Sequence, residues 1–192
     1  MFEHRVYPFQ NNPRPDKPES ENLYARQYNT ALGQFKAALR QGKIFRLTRK
    51  VMRRRSCLYD LNTLKSDLHV RGSFYAGIRV VSIHSIIGSE GRTADFDMDF
   101  HPVNENARQR WLGVAIAYLS RLPLPPVQLI QIGEAYFVRD GHHRLSVARA
   151  FGQIAVDAEV ITWNAASPFP WESPAYISNK TLLNNTDLLQ AQ

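Results

Sequence analysis

The 192-residue chain, 44% hydrophobic and 21% charged, has the make-up of an ordinary soluble globular protein, long enough to bury one substantial core. No apolar run approaches the ~18 residues of a membrane-spanning helix, and the single cysteine, Cys57, excludes an intrachain disulfide and any multi-cysteine metal site. The net charge of +7 is uneven: ten Lys/Arg and no Asp or Glu lie between Asn22 and Tyr59, so that segment carries +10 and the rest −3.

A basic appendage on a mildly acidic body is the organisation this implies. No signal peptide opens the sequence, and a reducing cytoplasm is the simplest expected address. Residues 1–20 hold four prolines and little periodic hydrophobicity, which reads as a flexible arm. Residues 21–72 form a basic helical extension. Tyr24, Tyr28, Ala31, Leu32, Phe35, Ala38 and Leu39 recur at helical spacing, and Gly42 offers a stop. A second helix is expected over 44–56, with Arg46, Arg49, Lys50 and Arg53 in one stripe beside Arg54 and Arg55. Leu58, Leu61, Leu64 and Leu68 predict a third, short helix.

The body is expected over 73–162. β-Branched residues from Ile78 to Ile87 predict a strand, followed by the glycine-bounded loop Gly88–Thr93. Asp95 to Phe100 alternates strictly, which predicts a strand burying Phe96, Met98 and Phe100 and exposing Asp95, Asp97 and Asp99 about 6.8 Å apart. Pro102 and Asn104 introduce an amphipathic helix over about 105–122, with Trp111, Leu112, Ala115 and Leu119 on its apolar face and Arg108, Arg110 and Arg121 beside it. Strands over 127–132 and 136–139 flank a Gly133-Glu134 hairpin turn. A helix over 141–151 and an alternating strand over 155–161 complete the body. The remainder, 163–192, is expected to wrap the body through Trp163 and Trp171 and then fray.

The most informative stretch is the turn Asp140-Gly141-His142-His143-Arg144. Asp140 is a good N-cap, Gly141 permits close backbone approach, and Gly152 stands where a left-handed C-cap belongs. Free backbone N–H groups and the positive end of the helix dipole there suit an anion, a phosphate above all. Arg144 brings a forked cation. Adjacent helical residues project about 100° apart, so His142 and His143 divide their tasks, one toward a ligand and one toward packing or orientation. A zinc site is disfavoured, because two adjacent histidines lack the i, i+4 spacing of helical chelation. A polar helix start with no ligand at all is the plainer alternative.

The stretches Leu124-Pro125-Pro126-Val127, Tyr136-Phe137-Val138 and Asp140–Arg144, in their helix–strand–hairpin–strand–turn–helix–strand order, resemble the ParB/sulfiredoxin superfamily over roughly 78–161. The resemblance implies an α+β fold: a ParB/sulfiredoxin-like domain with a small mixed sheet, preceded by the basic helical extension. It also implies a site for a nucleoside di- or triphosphate with Mg²⁺, its phosphates held by Gly141, His142, His143 and Arg144. Where ParB proteins carry Gly-Glu-Arg-Arg and sulfiredoxins Gly-Cys-His-Arg, this chain has Gly-His-His-Arg. The missing thiol argues against sulfiredoxin reductase chemistry, and the missing glutamate against ParB-type CTP switching. The turn is nearest the ParB-like serine kinases, in which a separate acid acts as base. Transfer or hydrolysis of a terminal phosphoryl group is the chemistry this leaves open.

Glu90 is the candidate for that base; Asp140, His143 and Arg92 join it as site candidates, Asp140 as a cap that could reach Mg²⁺, one of His142 and His143 as a phosphate donor or proton shuttle, and Arg92 as a phosphate clamp. A solvated turn is the plain reading of Glu90, and a solvated face that of the three aspartates, two of which would otherwise hold Mg²⁺. The alternative function is a non-catalytic DNA- or RNA-binding or regulatory protein, with Arg46, Arg49, Lys50, Arg53, Arg54 and Arg55 neutralising phosphates without reading sequence. Docking of that helix on the acidic strand of its own body is the competing account of its charge. Oligomerisation is left open; a membrane partner is not expected.

Overall fold

The computed structural model describes residues 19–166 and 169–172. The arm over 1–20, apart from its last two residues, and the tail beyond 172 lie outside them. Among the described residues the fold is α+β, with four α-helices and a six-stranded mixed sheet. The helices are α1 (Glu19–Val51), α2 (Leu61–Leu64), α3 (Arg108–Leu119) and α4 (His142–Ala150). The strands are β1 (Tyr59–Asp60), β2 (Val70–Ser82), β3 (Ile86–Ser89), β4 (Val127–Ile132), β5 (Ala135–Asp140) and β6 (Ala155–Ala165), in spatial order β1-β3-β5-β4-β6-β2.

The period-2 pattern of the central strands sorts their side chains between two cores. Val127, Leu129, Val138, Ala158 and Val160 meet Leu145 and Ala148 of α4 on one face. Ile130, Ile132, Ala135 and Phe137 meet Leu61, Leu68, Phe169 and Trp171 on the other. A third cluster joins the helices, with Ala31, Phe35 and Leu39 of α1 packed on Trp111, Leu112 and Ala115 of α3 and Val147 of α4. Fully buried Trp111 donates its indole N–H to Ser146 Oγ at 2.9 Å, so the largest side chain of this layer leaves no polar atom unpaired. The sheet recruits residues from before 73: β1 pairs in parallel with β3, and β2 begins at Val70. As the outer strand, β2 exposes Phe74, Tyr75, Ile78 and Val80. Among the described residues no helix is long and apolar enough to cross a membrane.

Two expected elements take a different form. The helix predicted over 44–56 is the end of a single 33-residue helix, and Gly42 does not stop it. A Cβ at Gly42 would lie 2.9 Å from the Pro102 carbonyl oxygen and 3.0 Å from His101 Cβ; the glycine lets α1 approach the loop before α3. The helix closes in a Schellman turn, Arg53 N–H to the Lys50 carbonyl and Arg54 N–H to that of Arg49. Arg53 takes the left-handed position at φ 52° that glycine usually fills.

The strand expected over 95–100 is a loop. Asp97 is buried instead of exposed, and its Oδ1 accepts the N–H groups of Asp99 and His101, both at 2.9 Å. These local bonds compete with a strand ladder and win. Phe96 and Phe100 are buried as their pattern predicts, although Phe100 reaches the core from a left-handed φ of 60°.

Candidate functional site

The sheet delivers the turn Asp140–Arg144 from the end of β5 into the start of α4. Its N-cap is Gly141, not Asp140: the glycine adopts φ 100° and ψ 20°, and no side chain caps the helix. Asp140 turns aside to pair with Arg144, Oδ2 to Nη2 at 2.6 Å. Arg144 Nη1 also donates to the carbonyls of Pro125 and Pro126, each at 2.6 Å. The guanidinium expected to grip phosphate is thus occupied in fastening α4 to the entry of β4. The first N–H groups of α4 have no intrahelical acceptor and no cap.

They open on a cleft of about 430 Å³ whose lining includes Arg92, Arg110, Gly113, His143 and Arg144. Arg92 reaches it from the loop after β3, at φ 54°, and is only distantly paired with Asp95, at 3.8 Å. Exposed Arg110 comes from the first turn of α3. Three guanidinium groups and a helix N-terminus against one carboxylate, Asp140, give the cleft a positive field.

The histidines are shaped by burial first and by that field second. His142 is buried, stacked on Phe96 at 6.1 Å, with Nε2 2.5 Å from Ser89 Oγ. The Ser89 hydroxyl proton is directed to the Gly91 carbonyl, so His142 Nε2–H is the donor to Oγ. Burial first, then the neighbouring Arg92 and His143, lowers its pKa to about 4. His142 is therefore a neutral orienting group, and its side chain is not free for phosphate. Burial, Arg92 and Arg110 also lower the pKa of His143. Its ring sits edge-on to Phe96 at 5.4 Å, and neither ring nitrogen has a hydrogen-bond partner.

Glu90 does not line the cleft. Its carboxylate is held between Lys65 at 2.9 Å and Arg139 at 3.2 Å. Nor do the aspartates converge: Asp95 faces Arg92, Asp97 ties its own loop and bonds His101 Nδ1 at 3.0 Å, and Asp99 lies 3.5 Å from Arg149. Among the described residues, no group of three or more His, Cys, Asp or Glu could hold a metal ion. A resident Mg²⁺ does not fit; one arriving with a phosphate would bring most of its ligands as phosphate oxygens and water.

The basic stripe is broken in two ways. Arg49 is buried, with Phe45 under its guanidinium at 5.0 Å and Met98 Sδ 3.9 Å from Nη2. Desolvation lowers its pKa, and the charges of Asp99 and Asp97 act against that lowering. Arg53 and Arg54 lie in the turn beyond α1. Arg55 donates from Nε to the Cys57 carbonyl and covers the Tyr59 ring at 3.6 Å. Arg46, Lys50, Arg53 and Arg54 remain exposed.

Sequence reasoning missed the roles of Ser89, Arg110 and Gly113. Arg110 was visible only as a polar companion of the α3 apolar face, and no local pattern links either of the others to the turn. No protein-family model, curated protein or solved structure matches the chain significantly.

Proposed function

We propose that the cleft in front of α4 binds the phosphates of a nucleotide, as the resemblance of its turn to the ParB/sulfiredoxin superfamily implies. The observation that carries the reading is an uncapped helix N-terminus facing a cleft flanked by Arg92 and Arg110. Gly141 and the N–H groups of residues 142–144 supply directional donors, and Arg92 and Arg110 supply charge. Arg144 and His142 act as positioning residues. His143, neutral near pH 7, gains a partner for a ring nitrogen by turning toward a phosphoryl oxygen. Transfer or hydrolysis of a terminal phosphoryl group would draw on His143 and Asp140, the acid–base side chains at the cleft, and not on Glu90.

Calorimetry with ATP, ADP and CTP, with and without Mg²⁺, tests this. Arg92→Ala and Arg110→Ala are each expected to weaken binding about 10- to 100-fold, the value of one charge-assisted hydrogen bond. Glu90→Gln should bind like wild type. A protein that binds none of these nucleotides, or a double arginine variant that binds them equally well, overturns the reading.

The exposed cluster Arg46, Lys50, Arg53 and Arg54 supports a second reading, non-specific contact with nucleic acid. Four neutralised phosphates give a slope of log affinity on log salt of about −3 to −4 for duplex DNA. Replacing all four by Gln is expected to abolish binding in a gel-shift titration; unchanged binding would remove this reading.

A further inference from the structure

A second groove, of about 560 Å³, lies on the other flank of α3, between that helix and the first turns of α1. Its chemistry differs from that of the cleft. Tyr24 and Tyr28 line one wall, their rings 6.5 Å apart and inclined by 29°. Leu112, Asn106 and Gln109 supply an apolar surface and two amide groups. Its lining holds one arginine, Arg108, and one carboxylate, Glu105, so this groove has no excess of positive charge.

One residue lines both cavities, Gly113. It sits exposed within α3, with an ordinary negative φ, and a Cβ there would meet nothing within 4 Å. Neither packing nor backbone conformation requires glycine at this point. The helix forgoes the better propensity of any larger residue, and the result is a low saddle between the two cavities.

We infer that the groove is the nucleoside end of the nucleotide site, the base stacking on Tyr24 and Tyr28 while the chain of phosphates crosses Gly113 into the arginine-lined cleft. This rests on the anion reading of the cleft. The asymmetry selects the ligand class: an aromatic, hydrogen-bonding head in a near-neutral groove and a polyanionic tail in a positive one. Asn106 and Gln109 offer amide donors and acceptors to the edge of the base. Residues from α1 therefore complete a site that the body alone would leave half open.

The test compares inorganic triphosphate with ATP, GTP, CTP and UTP by calorimetry. The tightest nucleotide is expected to bind roughly tenfold or more better than triphosphate, the contribution of base–aromatic stacking. Tyr24→Ala, at an exposed position, should remove most of that advantage and leave triphosphate binding unchanged. Gly113→Leu should raise the melting temperature by roughly 2–4 °C yet also lose the advantage, because its side chain fills the saddle. Triphosphate bound as tightly as every nucleotide, or a nucleotide advantage surviving both substitutions, overturns the inference while leaving the anion site standing. Failure of both triphosphate and nucleotides to bind overturns the two together.

Discussion

Acidification from pH 7 to pH 4 is expected to cost the wild-type protein about 3 kcal/mol more stability than it costs His142→Gln. His142 is buried against Phe96 and donates from Nε2 to Ser89, and its folded-state pKa falls to about 4 from an ordinary 6.5. The unfolded chain takes up a proton at this residue as pH falls through 6.5, whereas the folded chain resists until about 4. Between those values the unfolded state binds more protons, so the contribution is complete above pH 6.5 and declines toward pH 4. His143, lowered in the same direction, is present in both proteins and contributes to the acid sensitivity of each, not to the difference between them. The glutamine keeps an N–H donor for Ser89 and removes the titration. Urea denaturation at half-unit pH intervals measures the difference; parallel curves for the two proteins would show that His142 is not held neutral.

Gly141→Ala is expected to destabilise the protein by about 3 kcal/mol, lowering the melting temperature by roughly 6–12 °C. Two costs combine. The backbone at φ 100° disfavours any L side chain, and the new methyl would lie 2.7 Å from Val127 Cγ1 and 3.1 Å from Arg144 Nε. Val127 is buried in β4 and cannot withdraw. The displaced Arg144 would also loosen its hold on the Pro125 and Pro126 carbonyls, so affinity for the proposed nucleotide should fall with stability. Gly113→Ala is the control with opposite sign, a gain of about 0.5–1 kcal/mol from helix propensity alone. A loss under 1 kcal/mol at Gly141 would mean that the turn relaxes freely, contrary to the fastening described.

Gly141 and Gly42 show what was legible in the sequence. Gly141 announced itself because a strand, a polar turn and a helix ending at Gly152 are all written locally; β4 falls on 127–132 as expected, and the α4 helix closes through Gly152 at φ 77°. Gly42 has the same local credentials as a stop signal and is not one, because its reason is contact with residues some sixty positions away. The alternation over 95–100 was misleading for the opposite cause. Asp97 bonds so well to its own neighbours that a loop can bury Phe96 and Phe100 without forming a ladder.

The candidate site divides in the same way. Its turn was readable, as was Arg92 in the loop after β3, since both are signalled by glycine and charge. The competition for those side chains was not. Arg144 looked like a free cation until the 125–126 carbonyls were placed beside it, and Glu90 looked like a free acid until Lys65 and Arg139 closed on it. Arg110 belongs to α3, whose apolar face gives no hint that its polar shoulder overlooks α4.

The unbroken course of α1 has a consequence for how the protein could serve two ligands. Tyr24 and Lys50 stand 26 residues apart on one helix, about 39 Å at 1.5 Å per residue. At physiological ionic strength the screening length is only about 8 Å, so charge placed on the basic end is invisible at the tyrosine end. A nucleic acid held at Arg46 and Lys50 and a nucleotide lodged against Tyr24 would neither collide nor repel. Each would occupy its own pole of a stiff rod, anchored near the middle by Phe35 against Trp111, 5.5 Å between ring centres.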